Sequence, residues 1–331
     1  MRESAGRGLI RAGAALFGLL ALAAAAAPWL TAHAPDRTID PVGGSYLRPG
    51  SSAWEVRLAN GRRLLTQRVE RTTSGLRVER SGGVLELEAG DVANLTPDGV
   101  ADRHFFPLGT DRLGRDCWSR LVFGARVSLG VALAAAAFAG LLGLVVGLTA
   151  GMAGGLADDA LMRLVDVLRA FPRLFLLVLL AALFDPGPLF LIAVLGGTGW
   201  MAVARLVRGE AVRLRRLDFV LAARAAGSGP LAIAFRHLAI NVATPLVAAT
   251  SLRVGQVILV EAALSYLGLG IPPPHPTWGN MIFDATPDLL TGWWAATFPG
   301  LAIALTVIAF TLLGDGLRDR LGRGAHADGG L

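Results

Sequence analysis

The chain has 331 residues, 53% of them hydrophobic and only 17% charged, with 31 basic against 25 acidic side chains. Its mean hydropathy of +0.55 places it among membrane proteins rather than soluble globular domains. Every basic residue is an arginine, so a Walker A phosphate loop, a Schiff-base lysine and a Ser-Lys catalytic pair are all excluded. The net charge of +6 sits in loops between apolar runs, where the positive-inside bias and anionic lipid account for it without nucleic acid.

In chain order, Arg2, Arg7 and Arg11 precede a first apolar run, Ala12 to Leu30, long enough to span a bilayer. The small-residue triplet Ala32-His33-Ala34 leaves a cleavable signal peptide as the alternative for this segment. From residue 34 to residue 104 the texture changes. Trp54, Val56 and Leu58 alternate with Glu55 and Arg57 before an Asn60-Gly61 turn; Leu76 and Val78 alternate before a Ser81-Gly82-Gly83 turn, and Leu85 and Leu87 follow. This pattern predicts two hairpins in a small β-rich insertion.

Five further spans are predicted. Val127 to Ala150 is unambiguous. The next must start near Ala160, pair Arg163 with Asp166 on one face, and run kinked through Pro172 to Phe184. Leu189 to Ala204 is short; Val242 to Gly268 carries Arg253 and Glu261; Trp293 to Leu313 opens on Trp293 and Trp294 as an interfacial pair. Six spans, with the arginine-rich stretch Arg205 to Arg236 inside, put both termini in the cytoplasm; the loop from Leu269 to Gly292 has no arginine. Arg112, Arg115, Arg120 and Arg126 stand against this orientation, but they close a long loop, where the bias is weak. Cys117, the only cysteine, is expected to fill an apolar helix face. His33, His104, His237, His275 and His326 show no metal-ligand spacing, so no metal or cofactor is expected.

Within the arginine-rich loop, Asp218 is expected to cap a helix bearing Phe219, Ala222, Ala223 and Ala226 on one face, stopped by Gly227-Ser228-Gly229-Pro230. A second short helix is predicted from Leu231 to His237. Small alanines suit a helix that seats in a groove on a soluble partner; an amphipathic segment lying on the membrane is the alternative.

The string AARAAGSGPLAIAFRHLAIN, residues 222–241, resembles the coupling motif of binding-protein-dependent ABC importer permeases. HFFPLGTDRLGRDCWSRLVFGARVSLG, LMRLVDVLRAFPRL, VEAALSYLGLGIPPPHPTWGNMI and FPGLAIALTVIAFTLLGDGLRD are similar to other segments of the dipeptide, oligopeptide and nickel subfamily, C-type subunit. The resemblance covers residues 104–320 and departs from the motif where Leu221 replaces a glutamate and Ala239-Ile240-Asn241 replaces Leu-Pro-Asn. It implies an all-α polytopic permease of the type I arrangement with no bond chemistry of its own. It further implies a second homologous permease, two cytosolic ATPases and an extracytoplasmic solute-binding protein, in a bacterial inner membrane. Asp218, Phe219, Leu221, Ala222, Ala223, Ala226 and Gly227 would couple to the ATPase.

The domain plan is thus residues 1–33 (cytoplasmic start and first span), 34–104 (insertion), 105–320 (permease core, with coupling loop 205–240) and 321–331 (cytoplasmic tail). Arg253 and Glu261, costly in lipid, are candidates for the translocation path. Glu261 has helix packing as its alternative. Trp278 is expected to anchor the proline-rich loop GIPPPHPTWG at the interface. A secondary transporter is the nearest rival and requires a midplane ion site. A membrane-embedded hydrolase fails because Ser128 has no histidine within an apolar span.

Overall fold

A computed structural model describes residues 2–80, 83–93 and 103–327. The helices are α1 (Arg2–Ala25), α2 (Ala27–Leu30), α3 (Cys117–Ala153), α4 (Gly155–Ala170), α5 (Arg173–Leu183), α6 (Pro188–Gly197), α7 (Trp200–Leu214), α8 (Asp218–Ala225), α9 (Pro230–Ala232), α10 (Ala239–Tyr266), α11 (Trp278–Ala285) and α12 (Trp294–Ala327). The strands are β1 (Ser51–Arg57), β2 (Arg63–Thr66), β3 (Arg68–Arg71), β4 (Gly75–Arg80), β5 (Gly83–Glu88) and β6 (Arg103–Phe106). Two compact units emerge, one comprising residues up to Ala21, Ser128–Leu264 and from Ile303 onward, the other Leu22–Val127 and Ser265–Ala302.

Among the described residues, four helical stretches are long and apolar enough to cross a membrane: Gly6–Ala25, Cys117–Ala153, Pro230–Tyr266 and Trp294–Asp319. The pair α6 and α7, bent by 42°, makes a fifth if taken as one span. The remaining predicted span corresponds to α5, which is apolar but has only 11 residues. It does not run through Pro172 as a kinked helix. Phe171 and Pro172 are both extended, with ψ of 131° and 110°, because proline disfavours the helical region at the residue before it. Asp166 pairs with Arg205 rather than Arg163.

In the first unit, α3 meets α7 along Gly143, Gly147 and Gly151, spaced one helical turn apart. A Cβ on Gly147 would lie 2.6 Å from the Ala204 carbonyl oxygen and from Val207 Cβ. Small residues at this spacing let two backbones approach closely, the usual way helices associate in lipid.

The second unit carries two three-stranded antiparallel sheets, ordered β2-β1-β6 and β3-β4-β5. Asn60 and Gly61 form the β1–β2 turn, with Gly61 at φ +81°. Of the predicted Ser81-Gly82-Gly83 turn, residues 81 and 82 lie outside the described residues. The strands β3 and β6 add to the two predicted hairpins. Leu47, Ala53, Leu65 and Phe106 fill one small core, and Val56, Leu64, Leu76, Val78 and Leu87 another. Against the alternation, Glu55 is fully buried. Its carboxylate is held by Arg37, Arg57, Arg63 and His104, so an ion cluster replaces water on that face.

The arginines that disturb the orientation rule are engaged in this unit. Arg115 donates to Asp111 at 2.6 Å and to Asp284 at 2.7 Å, and Arg120 donates to Asp284 at 3.1 Å. Arg126 donates to the carbonyls of Ala24 and Ala25. Cys117 is buried against Ala285, Trp294 and Ala295, as expected. Trp278 is no interfacial anchor: it is buried and its Nε1 donates to the Leu121 carbonyl at 3.0 Å. Of the predicted tryptophan pair, Trp293 is exposed, but Trp294 is buried and donates to the Thr110 carbonyl at 3.0 Å.

Candidate coupling helix and membrane cavity

The arginine-rich loop folds into the short helix α8, but its start differs from expectation. Asp218 is the first helical residue, and Leu217 is the N-cap, with no side-chain hydrogen bond. Asp218 therefore acts through its charge at the positive end of the helix rather than as a cap. At the other end, Gly227 N–H donates to the Arg224 carbonyl and Ser228 N–H to that of Ala223. With Gly227 at φ +82°, this is a Schellman closure, which needs a left-handed residue at that position.

Val220 anchors α8. It is fully buried in a cluster with Val203, Leu214, Ile233, Leu238 and Val242. Ala223 is half-buried, whereas Phe219, Leu221, Ala222, Ala226 and Gly227 are exposed. The helix is thus held chiefly through Val220, with the Phe219 ring meeting that of His237 at 6.3 Å, and leaves Ala222 and Ala226 open. The predicted second helix is not separate. Pro230–Ala232 and a π-helical turn, Ile233–Leu238, run directly into α10, since nothing between Leu231 and Tyr266 breaks the ladder and Pro245 is accommodated within it. An open apolar groove of about 730 Å³ beside α8 is lined by Leu144, Leu148 and Met152 of α3 with Arg224, Leu231 and Phe235.

Ion pairs tie the surrounding loop down. Arg208 grips Asp158 through two bonds of 2.5 and 2.6 Å, a fork geometry that holds the Asp158 carboxyl below the usual carboxylate range. Arg215 donates to the Gly151 carbonyl at 2.9 Å. Arg216, Arg224 and Arg236 are exposed around the helix.

Arg253 and Glu261 are both buried in α10. Arg253 lies with Arg169 and Arg173 around a cavity of about 200 Å³. Sequence reasoning missed this gathering. The available signal was two interruptions in short apolar runs, Phe171-Pro172 and Gly196-Gly197-Thr198-Gly199.

Residues 121–326 match the family described as the binding-protein-dependent transport system inner membrane component. The chain belongs to this family. Members are permease subunits of ATP-binding cassette importers, and the chain is accordingly an integral membrane transport subunit. The dipeptide transport system permease protein DppC of Bacillus subtilis is 41% identical over 229 residues, 69% of this chain and 70% of its own. The glutathione transport system permease protein GsiD of Pectobacterium atrosepticum is 40% identical over 224 residues, covering 68% and 74%. A chain of the inward-facing MetNI methionine ABC transporter aligns over 60% of this chain and 96% of its own, at 18% identity and a TM-score of 0.45.

Proposed function

We propose that this permease is the C-type subunit of a bacterial inner-membrane importer for peptides or solutes of similar size. It pairs with a second, homologous permease, receives its solute from an extracytoplasmic binding protein, and is driven by two cytosolic ATPases. The termini and α8 lie in the cytoplasm, and residues 34–104 form an extracytoplasmic insertion on a permease core of residues 105–320. Bond chemistry belongs to the ATPases, and this chain supplies the path and the lever.

The observation that carries this reading is α8 itself, an eight-residue helix fixed by Val220, with an exposed face of Phe219, Ala222 and Ala226. A helix so short is marginal alone, and its open face of small residues suits a groove on a rigid partner. Leu221, exposed at 49%, offers a hydrophobic contact where the family motif has a carboxylate. Arg253 and Glu261 belong to the translocation path and its walls. Co-purification tests this assignment. Tagged permease should bring down ATPases and a second permease, and proteoliposomes of that complex should take up peptide only with ATP and binding protein. Uptake by this chain alone, driven by an ion gradient, contradicts it.

A further inference from the structure

Two breaks in the helical framework of the first unit meet at one cavity. The chain is extended at Phe171-Pro172 before α5 and turns at Thr198-Gly199 before α7. The first turns of both helices line the cavity, and neither start carries a side-chain cap. Uncapped helix starts present N–H donors and a positive dipole end.

Arginines from three helices line this space: Arg253 from α10 is buried, Arg173 from α5 is half-buried and Arg169 from α4 is exposed. Arg173 is steadied by its Nε donating to Thr198 Oγ1 at 3.3 Å. Arg253 is 8% exposed and rests against Gly199, where any Cβ would run into its guanidinium. Its Nε has no hydrogen-bond partner among the described residues. Among the described residues, no carboxylate lines the cavity.

Buried charge without a counter-charge is among the most expensive arrangements in a membrane protein. An oxyanion would answer all three features at once: the guanidinium forks, the open Nε donor and the two helix starts. We propose that this cavity is an oxyanion site that receives the carboxylate end of the transported solute, an inference that rests on the importer reading above. At about 200 Å³ it is smaller than a pocket for a whole drug-sized ligand, roughly 300–1,000 Å³, so it takes an end group. A lipid phosphate offers the same chemistry. Arg253, however, lies about 20 Å along α10 from its end at Tyr266, at 1.5 Å per residue, deeper than headgroup level, and interrupted helices are where membrane transporters place solute sites.

The test uses the complete transporter in nanodiscs, without binding protein, and measures equilibrium binding of trialanine and of trialanine amide. Wild type should bind trialanine, and bind the amide at least tenfold more weakly. Arg253→Gln and Arg173→Gln should each weaken trialanine binding at least tenfold with the melting temperature preserved. The second variant stands in should the first fail to assemble. Phosphatidylcholine discs and discs with anionic phosphatidylglycerol should give the same result. Equal binding of the amide, undiminished binding by both variants, or no trialanine binding by wild type overturns the proposal; binding lost only in anionic discs assigns the site to a headgroup and overturns it too. ATP-driven uptake by the same wild-type preparation reports separately on the importer reading, so either can fail alone.

Discussion

His33 Nε2 lies 2.8 Å from His104 Nδ1, and the outer nitrogens of both rings face carboxylates: His33 Nδ1 is 3.3 Å from Asp116 and His104 Nε2 is 2.9 Å from Glu55. The 2.8 Å contact between the rings has room for one proton, since N–H on both sides would set donor against donor. Arg37, Arg57 and Arg63 surround Glu55, and Arg103 borders the neighbouring space.

Burial first, and then the charge of His33, hold the His104 pKa below the ordinary histidine value; Glu55 opposes this and Arg37 adds to it. The unfolded chain takes up the proton near pH 6.5, the folded chain only at lower pH. The stabilisation from the neutral ring is therefore complete above about pH 6.5 and is lost as pH falls toward the folded value, by at most about 1.4 kcal/mol per pH unit. Hydrogen exchange at the β1 and β6 amides, corrected for intrinsic rates, should report weaker protection at pH 5.5 than at pH 7.5. His104→Gln should flatten that difference.

Asp111 accepts from the backbone N–H groups of Leu113 and Arg115 and from Arg115 Nε. Asp111→Asn removes the charge but not the shape, leaving Arg115 and Arg120, both buried, short of a counter-charge. Breaking a buried pair from one side costs about 3–5 kcal/mol. The purified protein should melt several degrees lower, whereas Arg68→Gln, at an exposed pair with Glu70, should change the midpoint little.

Gly147 has no room for a side chain against Ala204 and Val207. Gly147→Leu forces α3 away from α7 and should destabilise by about 1–3 kcal/mol, the usual range for overpacking. Gly8→Leu, where a Cβ meets nothing within 4 Å, should be neutral. Thermal melts in detergent separate the two.

The closure of α8 gives a functional prediction. Proline at position 227 fixes φ near −65° where the chain requires +82°, and Ala223→Glu places a charge on the half-buried side of the helix. Both Gly227→Pro and Ala223→Glu should insert into the membrane at wild-type level and lose at least nine-tenths of uptake, roughly the tenfold that 1.4 kcal/mol represents. Wild-type uptake by either removes α8 from the coupling role.

Local signals carried much of this architecture. The Gly227-Ser228-Gly229-Pro230 run marked the end of α8, and the alternation around Val56, Leu76 and Val78 marked the strands. What periodicity could not reveal depends on residues distant in sequence. Glu55 is buried because Arg37, Arg63 and His104 converge on it, and Trp278 turns inward because the Leu121 carbonyl accepts its N–H. Arg115 and Arg120 looked like topology markers because their partner Asp284 stands far along the chain. The shift of Asp218 from cap to first helical residue is a one-residue matter that sequence rarely fixes. The cavity around Arg253 was half legible: the charge was conspicuous, but its gathering with Arg169 and Arg173 follows from two helix breaks read as a kink and a short span.

The coupling role of α8 is tested most directly by site-specific crosslinking. Single cysteines at Ala222 and Ala226, in a Cys117→Ser background of the assembled transporter, should crosslink to an ATPase subunit, with a yield that changes when ATP is bound and hydrolysis blocked. Crosslinks only to lipid, or to no ATPase in either nucleotide state, contradict the account.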